Sequence, residues 1–397
     1  MEHAKPDRIG LLDALRGLSV LFIFVANAVY FSGLPFIPPT QQWAWATLPT
    51  DEILMMITFT AVDGKFYTIF SLLFAIGCAI QYQRAMKKGM AFRPFFHRRM
   101  SWLLVIGLIH LCLIWLGDIL TLYAILGFAL LWFIDVPDDR LLLWAVVFIM
   151  LPVVNWILIY PLSFDYPKTV EALGNRLALW LGNDSPAMTS MQAYLQNDRW
   201  EIFFKTNLSN AFNRWSRLFE EGRPFKVFGV FLIGLWAGRK ITYANLLDNT
   251  LLLKKVVMWG LSVGIAFSAL RTYCLFFADA DEFWSLVETV AYALGTVPLA
   301  MGYAAAFALY YRQKTIVFLE AAGRMALTNY LMQTVIGIAL FYGIGLGLAG
   351  KLGFTVVLLL AFFVFGLQSL SSILWLRKFK QGPLEKFWRA RTQSTAA

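Results

Sequence analysis

The chain has 397 residues, with 34 Lys and Arg against 24 Asp and Glu, a net charge of +10, and it is 59% hydrophobic, 16% aromatic and only 15% charged. Soluble domains carry roughly 25% charged residues. Here apolar stretches of about 20 residues, each able to cross a hydrocarbon core of about 30 Å as a helix, recur from Leu11 to Leu376. A soluble enzyme is excluded, and the expected fold class is an all-α, polytopic membrane helix bundle.

Cys78, Cys112 and Cys274 all lie in apolar runs without CxxC or Cys/His spacing, so neither a disulfide framework nor a metal site is expected. The segment Met1 to Gly10 is charged, and the apolar run after it is too long for a signal-peptide core and lacks a cleavage site, so it stays as the first span. Hydropathy places ten spans at about 11–31, 62–84, 98–116, 118–135, 140–161, 225–241, 253–277, 283–311, 323–348 and 353–376. The stretch Asp51 to Val62 is amphipathic and either extends the second span or lies in the interface before it.

Positive charge near span ends is retained in the cytoplasm. Arg84, Lys87, Lys88, Arg93, Arg98 and Arg99 follow the second span. Arg239, Lys240, Lys254 and Lys255, then Arg312 and Lys314, mark later alternate loops, and Arg377 to Arg391 marks the tail. Both termini are therefore expected in the cytoplasm. The expected domains are an amino-terminal bundle at 1–161, an external amphipathic segment at 162–224 acting as a helical cap, a carboxy-terminal bundle at 225–376, and a cytoplasmic basic tail at 377–397. Topology accounts for most of the +10. Nucleic acid is not an expected partner, because no polar basic face with stacking aromatics is present.

An ionisable side chain at mid-bilayer costs about 2.5–3.5 kcal/mol on insertion scales, so each such residue needs a partner or a purpose. Asp13 and Arg16 lie at i,i+3 in the first span; they form a local ion pair, or Arg16 grips a phosphate at the cytoplasmic side. Asn27 sits about 21 Å further along the same helix than Asp13. His110, the lone histidine of any expected span, is either hydrogen-bonded glue or a general base. Asp118 stands about 12 Å beyond it, reachable if the chain bends at Gly117.

Lys65, in Asp63-Gly64-Lys65, opens the second span. Arg271 and Glu288 face one another across the hairpin of spans seven and eight, as a structural pair or as part of an outer-half polar pocket. Asn329 and Gln333 lie at i,i+4 in the ninth span, beside Arg324 and Thr328; they hold helices together or line a substrate route. After span ten, the Gly382-Pro383 turn opens an interfacial amphipathic helix.

Asp13-x-x-Arg16-Gly17 followed by Asn27, Lys65-Phe-x-x-x-Phe70-Ser-Leu-Leu-Phe74-x-x-Gly77, His110 with Gly117-Asp118-Ile-Leu, Gly323-Arg324-Met-Ala-Leu-Thr-Asn329-Tyr330 and Gln381-Gly382-Pro383-Leu-Glu385 together resemble the YeiB-like family of bacterial inner-membrane proteins. The resemblance spans nearly the whole chain. Its amino-terminal part also looks like the transmembrane acyltransferases that include heparan-α-glucosaminide N-acetyltransferase. Those move an acyl group from cytoplasmic acyl-CoA to an acceptor on the far side, using an asparagine and a histidine after the first span. Asn27 matches the asparagine; Ser32 to Asp63 contains no histidine, so His110 would supply the base from another helix.

The resemblance thus implies a multi-pass protein of the bacterial cytoplasmic membrane with acyltransferase activity. Arg16, Arg98, Arg99 and Arg324 would approach the phosphates of acyl-CoA, a co-substrate and not a resident cofactor. His110 would deprotonate the acceptor, Asn27 would stabilise the oxyanion and Asp118 would orient the imidazole. Lys65, Arg271, Glu288, Asn329 and Gln333 are the candidate substrate-binding residues. The expected partners are the bilayer and a small-molecule or glycan acceptor, with a homodimer left open. The competing expectation is a transporter or exporter of a small polar or amphipathic solute, which intramembrane charges suit equally well; a non-catalytic scaffold is the third.

Overall fold

The computed structural model describes residues 9–36, 47–182, 190–279 and 281–392, and the regular structure among them is helical throughout. Parts of the expected loop after the first span, of the external segment and of the basic tail lie outside these residues. In chain order the α-helices are α1 (Gly10–Phe31), α2 (Asp51–Ala61), α3 (Lys65–Lys87), α4 (Phe92–Ile109), α5 (Leu120–Leu130), α6 (Asp138–Ile159), α7 (Tyr166–Trp180) and α8 (Met191–Gln196). They continue as α9 (Trp200–Glu220), α10 (Arg223–Tyr243), α11 (Thr250–Phe276), α12 (Glu282–Tyr311), α13 (Val317–Arg324), α14 (Ala326–Phe341), α15 (Phe354–Lys378) and α16 (Pro383–Thr392).

Among the described residues seven helical stretches are long and apolar enough to cross a membrane: Gly10–Phe31, Asp51–Lys87, Phe92–Ile114, Asp138–Ile159, Thr250–Phe276, Glu282–Tyr311 and Phe354–Lys378. The molecule is an all-α, multi-pass membrane bundle. The apolar helices α5 and α14 are shorter, at 11 and 16 residues. Large apolar side chains on α6 and α11, such as Leu143, Val146, Met258, Trp259 and Ile265, are exposed on the outside of the bundle, where lipid is their natural solvent.

Backbone breaks reset the start of one expected span and divide another. The second span begins only at Lys65, because Gly64 takes φ +83°, a conformation open to glycine; Asp51–Ala61 is consequently a separate helix. Asp51 anchors that helix, its carboxylate accepting the backbone N–H groups of Thr47 at 2.7 Å, Leu48 at 3.1 Å and Thr355 at 2.7 Å. The expected ninth span divides at Met325 into α13 and α14, and α14 stops at Phe341, where Tyr342 turns extended. The fresh N-terminus of α14 is capped from α16: Glu385 accepts the N–H groups of Leu327 at 2.8 Å and Thr328 at 3.0 Å.

Two motif glycines fix the closest crossing in the bundle. A Cβ on Gly17 would sit 2.0 Å from the carbonyl oxygen of Leu319, and one on Gly323 would sit 1.8 Å from that of Asp13. Backbones of α1 and α13 therefore touch where both residues lack a side chain, the small-residue contact that membrane helices use in place of a hydrophobic driving force.

Candidate functional site

A cavity of about 390 Å³ opens where three chain breaks meet. Val62–Gly64 precedes α3, Trp115–Ile119 precedes α5 and Glu221–Gly222 precedes α10; residues of all three breaks line the cavity. Gly222, at φ +59°, turns the chain out of α9, and Pro224 then starts α10 without losing a backbone donor. Irregular backbone at membrane depth is tolerated where it borders a cavity and not lipid. Three helix N-termini, with their partial positive charge, consequently border one space.

The walls differ in chemistry. α1 supplies Phe22 and Tyr30, the first turn of α3 Phe66 and Tyr67, the break before α5 Trp115, and α14 and its end Tyr330 and Tyr342. Asn210, Asn213, Arg214, Arg217 and Glu220 of α9 also line the cavity. Their spacing of three and four places them on one helical face. Arg223 joins them, its Nε donating to Glu221 at 2.7 Å and its guanidinium lying 5.2 Å from the Tyr67 ring centre. The Nε of Arg214 is buried with no hydrogen-bond partner among the described residues. Burial alone would push the Glu221 carboxyl up, but Arg223 and Arg214 beside it outweigh that and hold it below the ordinary carboxylate range.

Of the residues singled out from the sequence, Asn27 lines the cavity; its amide has no hydrogen-bond partner among the described residues. His110 does not line it. α4 ends in a π-helical turn, His110–Ile114, in which the Trp115 N–H bonds to the His110 carbonyl at 2.7 Å, and the chain then runs extended at Trp115. This reversal brings Asp118 back to His110, with Nδ1 to Oδ1 at 2.9 Å, although the two are separated by more than two helical turns of sequence. The same carboxylate caps α5 by accepting from Leu120 N at 3.1 Å and Thr121 N at 2.8 Å. Nε2 of the imidazole meets Thr334 Oγ1 at 3.0 Å, so both ring nitrogens are occupied in a buried site. Tyr330, whose ring centre lies 5.3 Å from the imidazole, stands between His110 and the cavity and donates its hydroxyl to the Gly117 carbonyl at 3.2 Å.

Lys65 is fully buried and donates to the Phe59 carbonyl at 3.2 Å. Arg271 bridges Glu288 at 2.7 Å and Asp63 at 2.6 Å, which ties α11 and α12 to the break before α3 and holds Asp63 in the cavity wall. Asn329 and Gln333 lie in a buried seam between α14 and α15. Asn329 donates to the Ala322 carbonyl at 3.0 Å and Ser372 Oγ at 3.1 Å, and Gln333 donates to Gln368 at 3.0 Å. Arg16 pairs with Asp13 at 2.6 Å near the start of α1. About 16 Å of helix separates Arg16 from Asn27, and neither Arg16, Arg98, Arg99 nor Arg324 lines the cavity. Arg214, Arg217 and Arg223 were not among the residues singled out, although the polar stripe at 210, 213, 214 and 217 is visible in the sequence.

A family described as a protein of unknown function, DUF418, matches residues 237–395; of the cavity lining, that region holds Tyr330 and Tyr342. The chain is 31% identical to the uncharacterized protein YxaH of Bacillus subtilis (strain 168), over 97% of this chain and 94% of that protein. It is 28% identical to the uncharacterized protein YeiB of Escherichia coli (strain K12), over 98% and 97%. An uncharacterized 39.9 kDa protein of the amylase 3′ region in Bacillus acidopullulyticus is 25% identical, over 98% and 95%. No solved structure matches the chain.

Proposed function

We propose, from the premise that this chain belongs to the family of YxaH- and YeiB-like bacterial proteins, that its working site is the cavity and that its ligand is an amphipathic anion. The observation that carries this reading is that one cavity of about 390 Å³ is lined by Arg214, Arg217 and Arg223 and by the rings of Phe22, Phe66, Tyr67 and Trp115, with Glu221 paired to Arg223 and Asp63, Glu171 and Glu220 also in the lining. Guanidinium groups grip phosphate or carboxylate oxygens in pairs, while rings receive an apolar body. The positive-inside pattern supports cytoplasmic termini in an inner membrane. On that orientation the cavity belongs to the outer half, and α7 to α9 form its external cap.

Acyl transfer is the activity we assign to it. The unpartnered amide of Asn27 faces the ligand space and can donate to an oxyanion as it develops. His110, its imidazole held by Asp118, lies one side chain behind Tyr330 and becomes the acceptor's general base when that tyrosine swings aside. A second reading, translocation of the anion, is favoured by the three breaks around one cavity, the arrangement that carriers build from discontinuous helices.

Dodecyl phosphate titrated into the purified protein tests the site. We expect saturable binding that weakens at least tenfold in Arg214→Gln/Arg217→Gln and is unchanged in Arg93→Gln, which alters an exposed arginine paired with Asp135. Equal binding of neutral dodecanol, or an unaffected double variant, refutes the proposal. Covalent acyl transfer from acyl-CoA, lowered about a hundredfold by Asn27→Ala, supports the enzyme; flux into proteoliposomes with no covalent change supports the carrier.

A further inference from the structure

A second basic site lies at the opposite end of the bundle, where the chain begins and where its last helix docks. Arg16 of α1, Arg99 of α4 and Arg389 of α16 come together there, and Arg324 of α13 reaches the chain just ahead of α16. Trp388 holds α16 against α4: its indole N–H donates to the Arg99 carbonyl at 3.0 Å, and the Arg99 guanidinium lies over the same ring, 3.6 Å from its centre. The charges of Arg389 and Arg16 both bear on Arg99. Arg324 donates through Nη2 to the Lys380 carbonyl at 3.0 Å, while its Nε is buried with no hydrogen-bond partner among the described residues.

Among the described residues, the acidic groups nearest this end already have partners, Glu320 accepting from the Tyr311 hydroxyl. Asp13 is engaged with Arg16 at 2.6 Å, and the carboxylate of Glu385 is spent on the N-terminus of α14 and the hydroxyl of Thr328 at 2.6 Å. Like charges brought together by docking repel unless an anion joins them. Planar guanidiniums from different directions suit the tetrahedral, multiply charged oxygens of a phosphate group. The surroundings indicate where that phosphate comes from. Trp375, Phe379 and Phe387 expose their rings around the site, and the neighbouring Lys386 and Arg391 are exposed. Aromatic rings and basic residues side by side are the composition of a membrane–water interface.

We propose that this cluster binds the phosphate of an acidic phospholipid headgroup, with α16 as the element that completes the site. The inference stands on this end of the bundle alone and does not depend on the cavity. The test uses the full chain, delipidated and returned to nanodiscs of phosphatidylcholine with increasing phosphatidylglycerol, and reads retained lipid by native mass spectrometry together with thermal unfolding. Phosphatidylglycerol is expected to be retained selectively and to raise the unfolding temperature, and Arg389→Gln to weaken retention at least tenfold. Arg389 is exposed, so its substitution leaves the packing intact; Arg99→Gln is the second variant, with the same expected loss. Arg214→Gln/Arg217→Gln should retain the lipid fully. Equal retention of phosphatidylcholine, undiminished retention by Arg389→Gln, or displacement of the lipid by millimolar inorganic phosphate, which would make this a site for soluble phosphate, overturns the proposal.

Discussion

Replacing Asp118 by alanine removes three hydrogen bonds at once, because one buried carboxylate serves both His110 and the start of α5. Losing an N-cap costs about 1 kcal/mol. An imidazole N–H left buried without an acceptor costs about 1–3 kcal/mol more, so Asp118→Ala should destabilise the protein by about 2–4 kcal/mol. Asp118→Ala and His110→Ala remove the two sides of one contact, so their effects are not additive. In His110→Ala/Asp118→Ala the stranded imidazole is gone, and the double variant should be more stable than the sum of the single losses predicts, by about 1–3 kcal/mol. Unfolding in detergent micelles, followed by tryptophan fluorescence for all three variants, measures this directly. Glu201→Ala, which touches surface pairs with Lys205 at 2.8 Å and Arg199 at 3.5 Å, sets the baseline. Strict additivity, or a loss in Asp118→Ala no greater than in Glu201→Ala, would show that the reversal at Gly117 does not depend on the imidazole–carboxylate pair.

Arg271→Ala should cost about 3–5 kcal/mol, since it strands Asp63 and Glu288 without their shared cation; adding Asp63→Asn and Glu288→Gln should recover part of the loss in the same unfolding measurement. Gly323→Ala should cost about 1–3 kcal/mol or more, because the new methyl falls on the Asp13 carbonyl and the backbones of α1 and α13 must part. Size-exclusion profiles of the detergent-solubilised variant should show loss of the monodisperse peak, while Gly366→Ala, where a Cβ meets nothing within 4 Å, should leave the profile unchanged.

The membrane character, the helical class and most helix positions were legible from hydropathy, because a span must satisfy its own backbone hydrogen bonds and cover itself with apolar side chains whatever its neighbours are. Family membership was legible too, in motifs such as Gly17 and Gly323 whose spacing survives without knowledge of their contact. The breaks were harder to read. Met325 sits inside a stretch expected as one span, and Gly64 two residues inside another, and only the cap from Glu385 after the first and the left-handed backbone at the second make them helix ends. The polar stripe of α9 was present in the residues, but nothing local said whether it met water, lipid headgroups or a cavity.

Local chemistry in the chain thus decided that apolar helices form and which side chains within them need partners, but not their number, ten spans being expected where seven long apolar stretches stand among the described residues. It offered Asp13 for Arg16 and Glu288 for Arg271, but not the partners that come from more distant elements, since convergence is a property of several helices at once. Three-dimensional packing put Asp118 on His110, Arg271 between Asp63 and Glu288, and Arg214 and Arg217 in one cavity with Asn27. The physical reason is the low dielectric of the bundle interior: a buried charge is tolerable only beside its complement. Sequence marks such charges as demands, and the fold alone determines how each demand is met.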